Sequence, residues 1–445
     1  EQKKMKISFY GHAATILKNK KNIPILATDP WIIGSCYWRS WWLQNYPSQE
    51  KLEDIYKTNL IYITHEHPDH FHLPTLRNFS ANYKLLIPDF PNKKLNNFLN
   101  DVDYSHEIVK KNNWKIINYD KKISILSIPM WNDDSILLVD TPDSIIINLN
   151  DSKPSNFTLN KIKKLIDIKK KKSILLSSYS PASIANSFRL NKKVLSIKSK
   201  VDYVDYINKI CNHLKTDFFM PFASQAIFER KDSLWANEFK VTYEDLLDGF
   251  NAKKTLLLPC YSKINLKDFK TSFIKKKDYI TKDHQLIVQK TKIQIDNENK
   301  YTFNEKDIIL LQKKINKINL YIKIFFRNGI GFKINNKYFV YDKKKIFYIS
   351  DDEKILNNKN DFIIEIPGLV LREVLKNENL GDVGPSMFTL IHSRKGLDLR
   401  LVYLFFILLG LDDYGHTKTI FKTFKWTLKQ IFNYLSFYLK PIKYF

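Results

Sequence analysis

The chain has 445 residues, 44% of them hydrophobic, enough for two or three domains with buried cores. Its 72 basic against 46 acidic residues give a formal charge of +26, but the lysine runs at 169–172, 275–277 and 343–345 are scattered. That scatter argues against a nucleic-acid binder with one basic footprint and leaves compositional drift in a Lys-, Asn- and Ile-rich chain, or an anionic small-molecule partner. Three distant cysteines, Cys36, Cys211 and Cys260, exclude a disulfide framework, and the opening residues lack the apolar run of a signal peptide, so a cytoplasmic setting is expected.

In chain order, short apolar runs bounded by turn signals predict strands over 6–11, 14–18, 23–29, 59–65, 84–89, 122–129, 135–140 and 144–151. Many are apolar on both faces, as strands covered on both sides must be. Helical periodicity falls at 73–79, 92–100, 158–169 and 202–214, giving an α/β pattern over 5–262. Strands and hairpins then dominate 263–380, including a pair over 328–342 that turns at Asn335-Asn336, and predict a smaller α+β domain. The remainder, 381–445, reads as a helical tail. Its apolar run at 401–411 is too short for a bilayer, which takes about 20 residues. Over 418–440, Phe421, Phe424, Leu428 and Ile431 recur at helical spacing, with Lys418, Lys422, Lys425 and Lys429 largely opposite. Such a basic amphipathic helix packs on its own protein or makes peripheral contact with a membrane.

The chemistry concentrates in ITHEHPDHFH, residues 63–72, which holds four of the ten histidines just past a predicted strand. In extended chain His65 and His67, two apart, point to one side and can converge on one ion. Pro68 breaks the strand, and Asp69 and His70 follow at once. The donors are nitrogen and oxygen without thiolate, which suits Zn, Fe or Mn and argues against a structural zinc site. His72 falls outside the pattern and is expected to support a ligand or to face solvent.

The H-x-H-x-D-H of this stretch resembles the signature of the metallo-β-lactamase fold superfamily. The resemblance implies a four-layer αβ/βα sandwich over roughly 5–262 with the metal at the sheet edges. It also implies a bridging Asp at the end of a later strand, and Asp151 in IIINLND fits that place. The stretches GHAATIL (11–17), ATDPWIIGS (27–35), the Trp pair 41–42, NLND (148–151), SSYSPAS (177–183) and MPFASQAIF (220–228) are similar to the CMP-N-acetylneuraminate monooxygenase family. That branch implies hydroxylation of the N-acyl methyl of an amino sugar, with iron, O2 and electrons from a Rieske centre.

The chain departs from those patterns in two places. A full dinuclear site adds two histidines; the first would fall in 125–135, where Met130, Trp131, Asn132, Asp133 and Asp134 stand instead. For the second, only His213 and His284 follow Asp151 as candidates. A Rieske cluster needs C-x-H and a later C-x-x-H. Cys211-Asn212-His213 matches the first half, but Tyr261, Ser262 and Lys263 follow Cys260, so the chain carries no Rieske cluster of its own and a hydroxylase would need a separate electron donor.

The expected metal ligands are His65, His67, Asp69, His70 and Asp151, with Asp69 also available as a proton acceptor. His12 and Asp29 are expected to support them, Asp29 through a hydrogen bond to a ligand imidazole. Trp31, Trp38, Trp41 and Trp42 offer a substrate wall, and Ser180, Ser183, Ser224 and Asn237 offer hydrogen bonds to sugar hydroxyls or phosphate. Three functions stay open. One is an iron-dependent oxygenase of a nucleotide-activated or amino sugar. The second is a metal hydrolase of a lactone, amide or phosphoester. The third is a ligand-binding protein without turnover.

Overall fold

The computed structural model describes residues 4–80, 82–90, 93–118, 122–130, 134–181, 187–190, 193–195, 199–280, 282–342, 346–350, 360–394 and 396–415, with a few single positions beyond. Trp131, Asn132, Asp133, Ser183 and most of the expected tail helix lie outside the described residues.

Two sheets face each other. The first has eight strands in the order Thr271–Phe273, Ser262–Asn265, Lys6–Phe9, Thr15–Lys18, Pro24–Thr28, Leu60–Tyr62, Lys84–Pro88 and His106–Val109. The second has seven, in the order Trp114–Asn118, Ile123–Pro129, Ser135–Asp140, Ser144–Asn150, Lys172–Ser178, Phe218–Phe222 and Leu256–Leu257. Strand alternation assigns the layers. Ile146 joins Leu17, Leu26, Leu86, Leu137 and Leu176 between the sheets, while its neighbours Ile145 and Ile147 pack under Leu159, Ile162, Ile207 and Ile210 of two helices. On the other side Ile61 and Leu85 pack under Leu76, Leu95 and Leu99. The chain is therefore an αβ/βα sandwich of the metallo-β-lactamase kind, and strands apolar on both faces are what four layers require.

A third sheet of seven strands follows, in the order Lys193–Leu195, Phe188–Leu190, Leu390–Ser393, Phe362–Ile366, Ile330–Ile334, Lys337–Tyr341 and Ile346–Ser350. It pairs Ile334 with Lys337 across the tight turn, where Asn335 takes φ 53°. Phe332, Phe362, Val370, Leu371, Phe405 and Leu408 share its core, so the apolar helix Leu399–Asp413 is spent on its own protein. Among the described residues no helix is long and apolar enough to cross a membrane.

The chain crosses the expected boundary at 262 in both directions. Ser262–Asn265 pairs with Lys6–Phe9, matching Ile264 to Ile7, and Thr271–Phe273 pairs beyond it as the edge of the sheet. Phe188–Leu190, expected in the first unit, pairs in parallel with Leu390–Ser393, and Phe188 is fully buried in the C-terminal core.

An ion pair bolts the two bodies together. Arg230 and Glu298, 0% and 1% exposed, meet in a fork with nitrogen–oxygen distances of 2.8 and 2.7 Å. Glu298 lies on the helix His284–Lys300, and Asp232 takes the guanidinium's other edge at 2.7 Å. Breaking a buried pair from one side strands a charge. Glu298→Leu is expected to cost about 3 kcal/mol or more in urea denaturation. A double Arg230→Met, Glu298→Leu replacement should recover much of that loss. A single-variant loss under about 1 kcal/mol would show that the charges are hydrated and the pair is not a bolt.

Candidate metal centre

The site forms where strand ends of both sheets meet. Leu60–Tyr62 of the first sheet delivers the loop 63–72, and Ser144–Asn150 of the second delivers Asp151. His65, Asp69 and His70 are buried, while His67 is half-buried. His65 Nε2 and His67 Nδ1 lie 2.8 Å apart, within hydrogen-bond distance of each other, and His67 stands outside both groups of donors that the other residues form. His70 Nε2 is 3.3 Å from Asp151 Oδ2 and 3.4 Å from Asp69 Oδ2, and His12 Nε2 is 3.0 Å from that same Asp69 oxygen. Two overlapping triads result, His65–His70–Asp151 and His12–Asp69–His70, each with its donor atoms within 4.8 Å of one another. His12 is therefore placed among the donors themselves.

These residues fit a metal. Ligands of one ion at about 2.1 Å can be no more than about twice that apart. The buried Nε2 of His70 makes no well-directed hydrogen bond although two carboxylates flank it, which is the arrangement of lone pairs aimed at a common centre. Asp29 sets that aim. Its Oδ1 accepts from Thr64 N–H at 2.8 Å, and its Oδ2 accepts from Thr64 Oγ1 at 2.7 Å and lies 3.1 Å from His70 Nδ1. With Nδ1 tied, His70 presents Nε2 to the centre. Asp29 and Asn150 both hold φ 41°, a left-handed geometry unfavourable to side chains and typical of places where direction matters more than local stability. Asn150 Nδ2 donates to the Ser135 carbonyl at 2.6 Å, which fixes the residue before Asp151.

Charge is divided unevenly across the cluster. Burial favours the neutral form of His70, but the carboxylates of Asp69 and Asp29 outweigh it and hold the imidazole well above its ordinary range. Burial together with the charge of His70 pushes His65 far down, leaving it neutral. Burial would raise Asp69, yet His70 and the hydrogen bond from His12 hold it well below the usual carboxylate range. Asp151 is lowered against its burial by His70, whose Nε2 stands 3.3 Å from its Oδ2. Asp134 goes the other way, raised by burial and by the charge of Asp151. The metal-free site thus carries a proton where a cation would sit.

Other candidates take different places. Trp31 is fully buried with its ring 5.5 Å from His12, and Trp41 stands 5.6 Å from the same ring. Trp42, one residue on, gives its Nε1–H to the Arg39 carbonyl at 2.9 Å in a small sheet with Ser35–Cys36 and Ala226–Phe228. Ser180 Oγ accepts from Val241 N–H at 2.9 Å, and the Asn237 amide spans both backbone groups of Phe228 at 3.0 and 2.8 Å. Those side chains hold loops together. His72 does not face solvent. It is buried, caps the helix Leu73–Leu76 by accepting from Thr75 N–H at 3.2 Å, and burial takes it down to about 4. His213 bonds Asn160 at 2.9 Å on an outer helix, and His284 is exposed at a helix start, so neither joins the cluster.

Three residues enter that the sequence reading passed over or left open. Tyr37 Oη donates to Asp69 Oδ1 at 2.6 Å from a stretch with no motif around it. Asp134 is buried with Oδ1 3.4 Å from His65 Nδ1, close to the place where the usual histidine is missing. Lys153, two residues past Asp151, donates to Ser178 Oγ at 2.9 Å and lies 5.1 Å from the Tyr206 ring centre. The spacing from Asp151 was the available signal for Lys153; Tyr37 gave none.

No family model matches the chain. It is 30% identical over 165 residues to a cytidine monophosphate-N-acetylneuraminic acid hydroxylase of Asterias rubens, covering 33% of this chain and 23% of that one. The same enzyme of Cricetulus griseus is 38% identical over 89 residues, 20% and 14% of the two chains. The matched parts thus span less than a quarter of these relatives. An isothiocyanate hydrolase from Delia radicum gut bacteria superposes with a TM-score of 0.39 and 12% identity, over 61% of this chain and 99% of that one.

The electrostatics set a pH dependence for the metal-free chain. His70 is raised above its ordinary 6.5, so its stabilising charge is fully present below that pH and is lost as pH rises through the higher folded value. Asp69 and Asp151 are lowered from 3.8, so their contribution is present above that pH and lost only as pH falls further. The Tm of chelator-treated protein should fall on the alkaline side of neutrality. His70→Gln should flatten that limb, and an unchanged slope in the variant would refute the assignment.

Proposed function

We propose that the chain is a metal-dependent oxygenase of a nucleotide-activated or amino sugar, supplied with electrons by a separate protein. The observation that carries this reading is the donor set. Each triad has two histidines and one carboxylate, the arrangement that suits non-haem Fe(II) and O2. The partial sequence likeness to sugar-nucleotide hydroxylases supports the same direction. Iron bound among these residues would supply the redox chemistry with O2, whereas Zn or Mn would supply Lewis acidity.

The chain's own groups have definable tasks. His65 is kept neutral, as a ligand nitrogen must be. Asp69 is kept ionised, with one oxygen held by Tyr37 and the other turned to His12 and His70. Trp31 and Trp41 close the His12 side against water. Lys153 presents an ammonium beside Asp151, positioned by Ser178 and Tyr206, for a phosphate or carboxylate of the substrate.

A specific observation favours metal hydrolysis as the second reading. Asp69 is held ionised and Asp134 is raised, so the cluster contains a proton acceptor and a proton donor set apart by environment. Such a pair suits attack of a water on a lactone, amide or phosphoester.

Metal analysis of anaerobically purified protein separates the readings. About one iron per chain, with O2 uptake when reductant and nucleotide sugar are added, is expected. Two zinc ions with O2-independent turnover would transfer the protein to the hydrolases. Absence of metal, with function unharmed in His65→Ala, would leave a binding protein. Lys153→Met should raise KM for the anionic substrate about ten-fold or more, with a smaller effect on kcat, since a charge-assisted hydrogen bond is worth about 1.5–3 kcal/mol. Unchanged KM would remove the lysine from the substrate site.

A further inference from the structure

We infer that residues 284–415 hold the metal centre in shape, acting through the 36–41 turn and the Tyr37 hydroxyl; this rests on the metal-centre reading above. The turn leaves Ser35–Cys36 and enters Trp41–Leu43 by way of three successive left-handed residues, Tyr37, Trp38 and Arg39, at φ 49°, 51° and 63°. None is glycine or asparagine, and L residues adopt this geometry singly rather than in runs. A strained run of this kind persists only where its surroundings impose it.

The backbone of the turn is bonded by Arg230 and Glu229 at the Trp38 and Ser40 carbonyls, and its side chains are held by the C-terminal body. Trp38 Nε1–H donates to Glu373 Oε2 at 2.7 Å, on the helix Gly368–Asn377, and the Trp38 ring meets Phe388 edge-on at 6.0 Å. Arg39 donates to the Lys290 carbonyl at 2.9 Å. Ser40 Oγ donates to the Ser386 carbonyl at 2.6 Å, and Trp41 Nε1 to the Pro385 carbonyl at 2.8 Å. Each side chain from 38 to 41 thus reaches a residue beyond 284.

Pinned this way, the turn grips the histidine loop. Tyr37 donates to Asp69 Oδ1 at 2.6 Å and Cys36 Sγ lies 3.1 Å from the Pro68 carbonyl. With Oδ1 occupied, Asp69 turns Oδ2 toward His12 and His70. A second tie runs in parallel: Lys94 Nζ donates to Glu66 Oε1 at 2.9 Å and to the Glu378 carbonyl at 2.6 Å. The loop is held at Glu66, Pro68 and Asp69, and all three holds lead to the C-terminal body. Tyr37 and Glu373 are positioning residues, with no claim to touch substrate.

The test uses Co(II) as probe of the full-length, chelator-treated chain. Affinity is read by chelator competition and ligand geometry by visible absorption. Tyr37→Phe and Glu373→Leu are each expected to weaken Co(II) about ten-fold and to change the absorption bands, the range for loss of a group that orients a ligand. The double variant should bind about as Tyr37→Phe does, because both act on one hydroxyl. Glu373→Gln, which keeps an acceptor for Trp38, should bind as the wild type. A folded Glu373→Leu protein with wild-type affinity and spectrum overturns the inference, as do losses that simply add in the double variant. His65→Ala keeps the two levels apart. If it binds Co(II) as the wild type does, the metal-centre reading itself fails; if it loses binding while Glu373→Leu does not, only the positioning role falls.

Discussion

Four carboxylates crowded where strand ends of the two sheets meet set the terms for the rest of the molecule. Asp29, Asp69 and Asp134 are 0%, 1% and 4% exposed, and Asp151 completes the group. Buried like charges are tolerated only with positive charge among them. In the metal-free chain that charge is the His70 imidazolium, with Lys153 nearby. The same concentration of negative charge is what draws a cation to the nitrogens of His65, His70 and His12. A protein of formal charge +26 thus keeps a cluster of carboxylates in its interior.

Much of this was legible where the determining contacts are local in the chain. The i, i+2 relation of His65 and His67 is a property of extended backbone, and the two rings meet at 2.8 Å, though only His65 stands in a donor triad. The double-faced apolar strands announced cover on both sides, and residues 145–147 divide between two layers accordingly. The place of Asp151 came from a resemblance, not from spacing.

Contacts between distant segments were not legible. Nothing about Tyr37 marks it as a partner of Asp69, because the bond depends on a left-handed turn that has no glycine to signal it. Trp41 and Trp42 are equivalent as letters, and the phase of one short strand decides which stands against His12. The pairings of Ser262–Asn265 with Lys6–Phe9 and of Phe188–Leu190 with Leu390–Ser393 are choices among open sheet edges. Hydrophobic periodicity identifies a strand but not its neighbour.

That last pairing bears on how the chain is made. A ribosome releases the histidine loop and Asp151 well before the partner of Phe188, which cannot find Ile391 until about 200 further residues have emerged. Pairings so far apart in sequence form slowly and leave edges exposed meanwhile. The sandwich would therefore wait in the cell as an unfinished body, with the edge of Phe188–Leu190 that does not pair with Lys193–Leu195 open to association. Synthesis of Leu390–Ser393 ends that vulnerable interval.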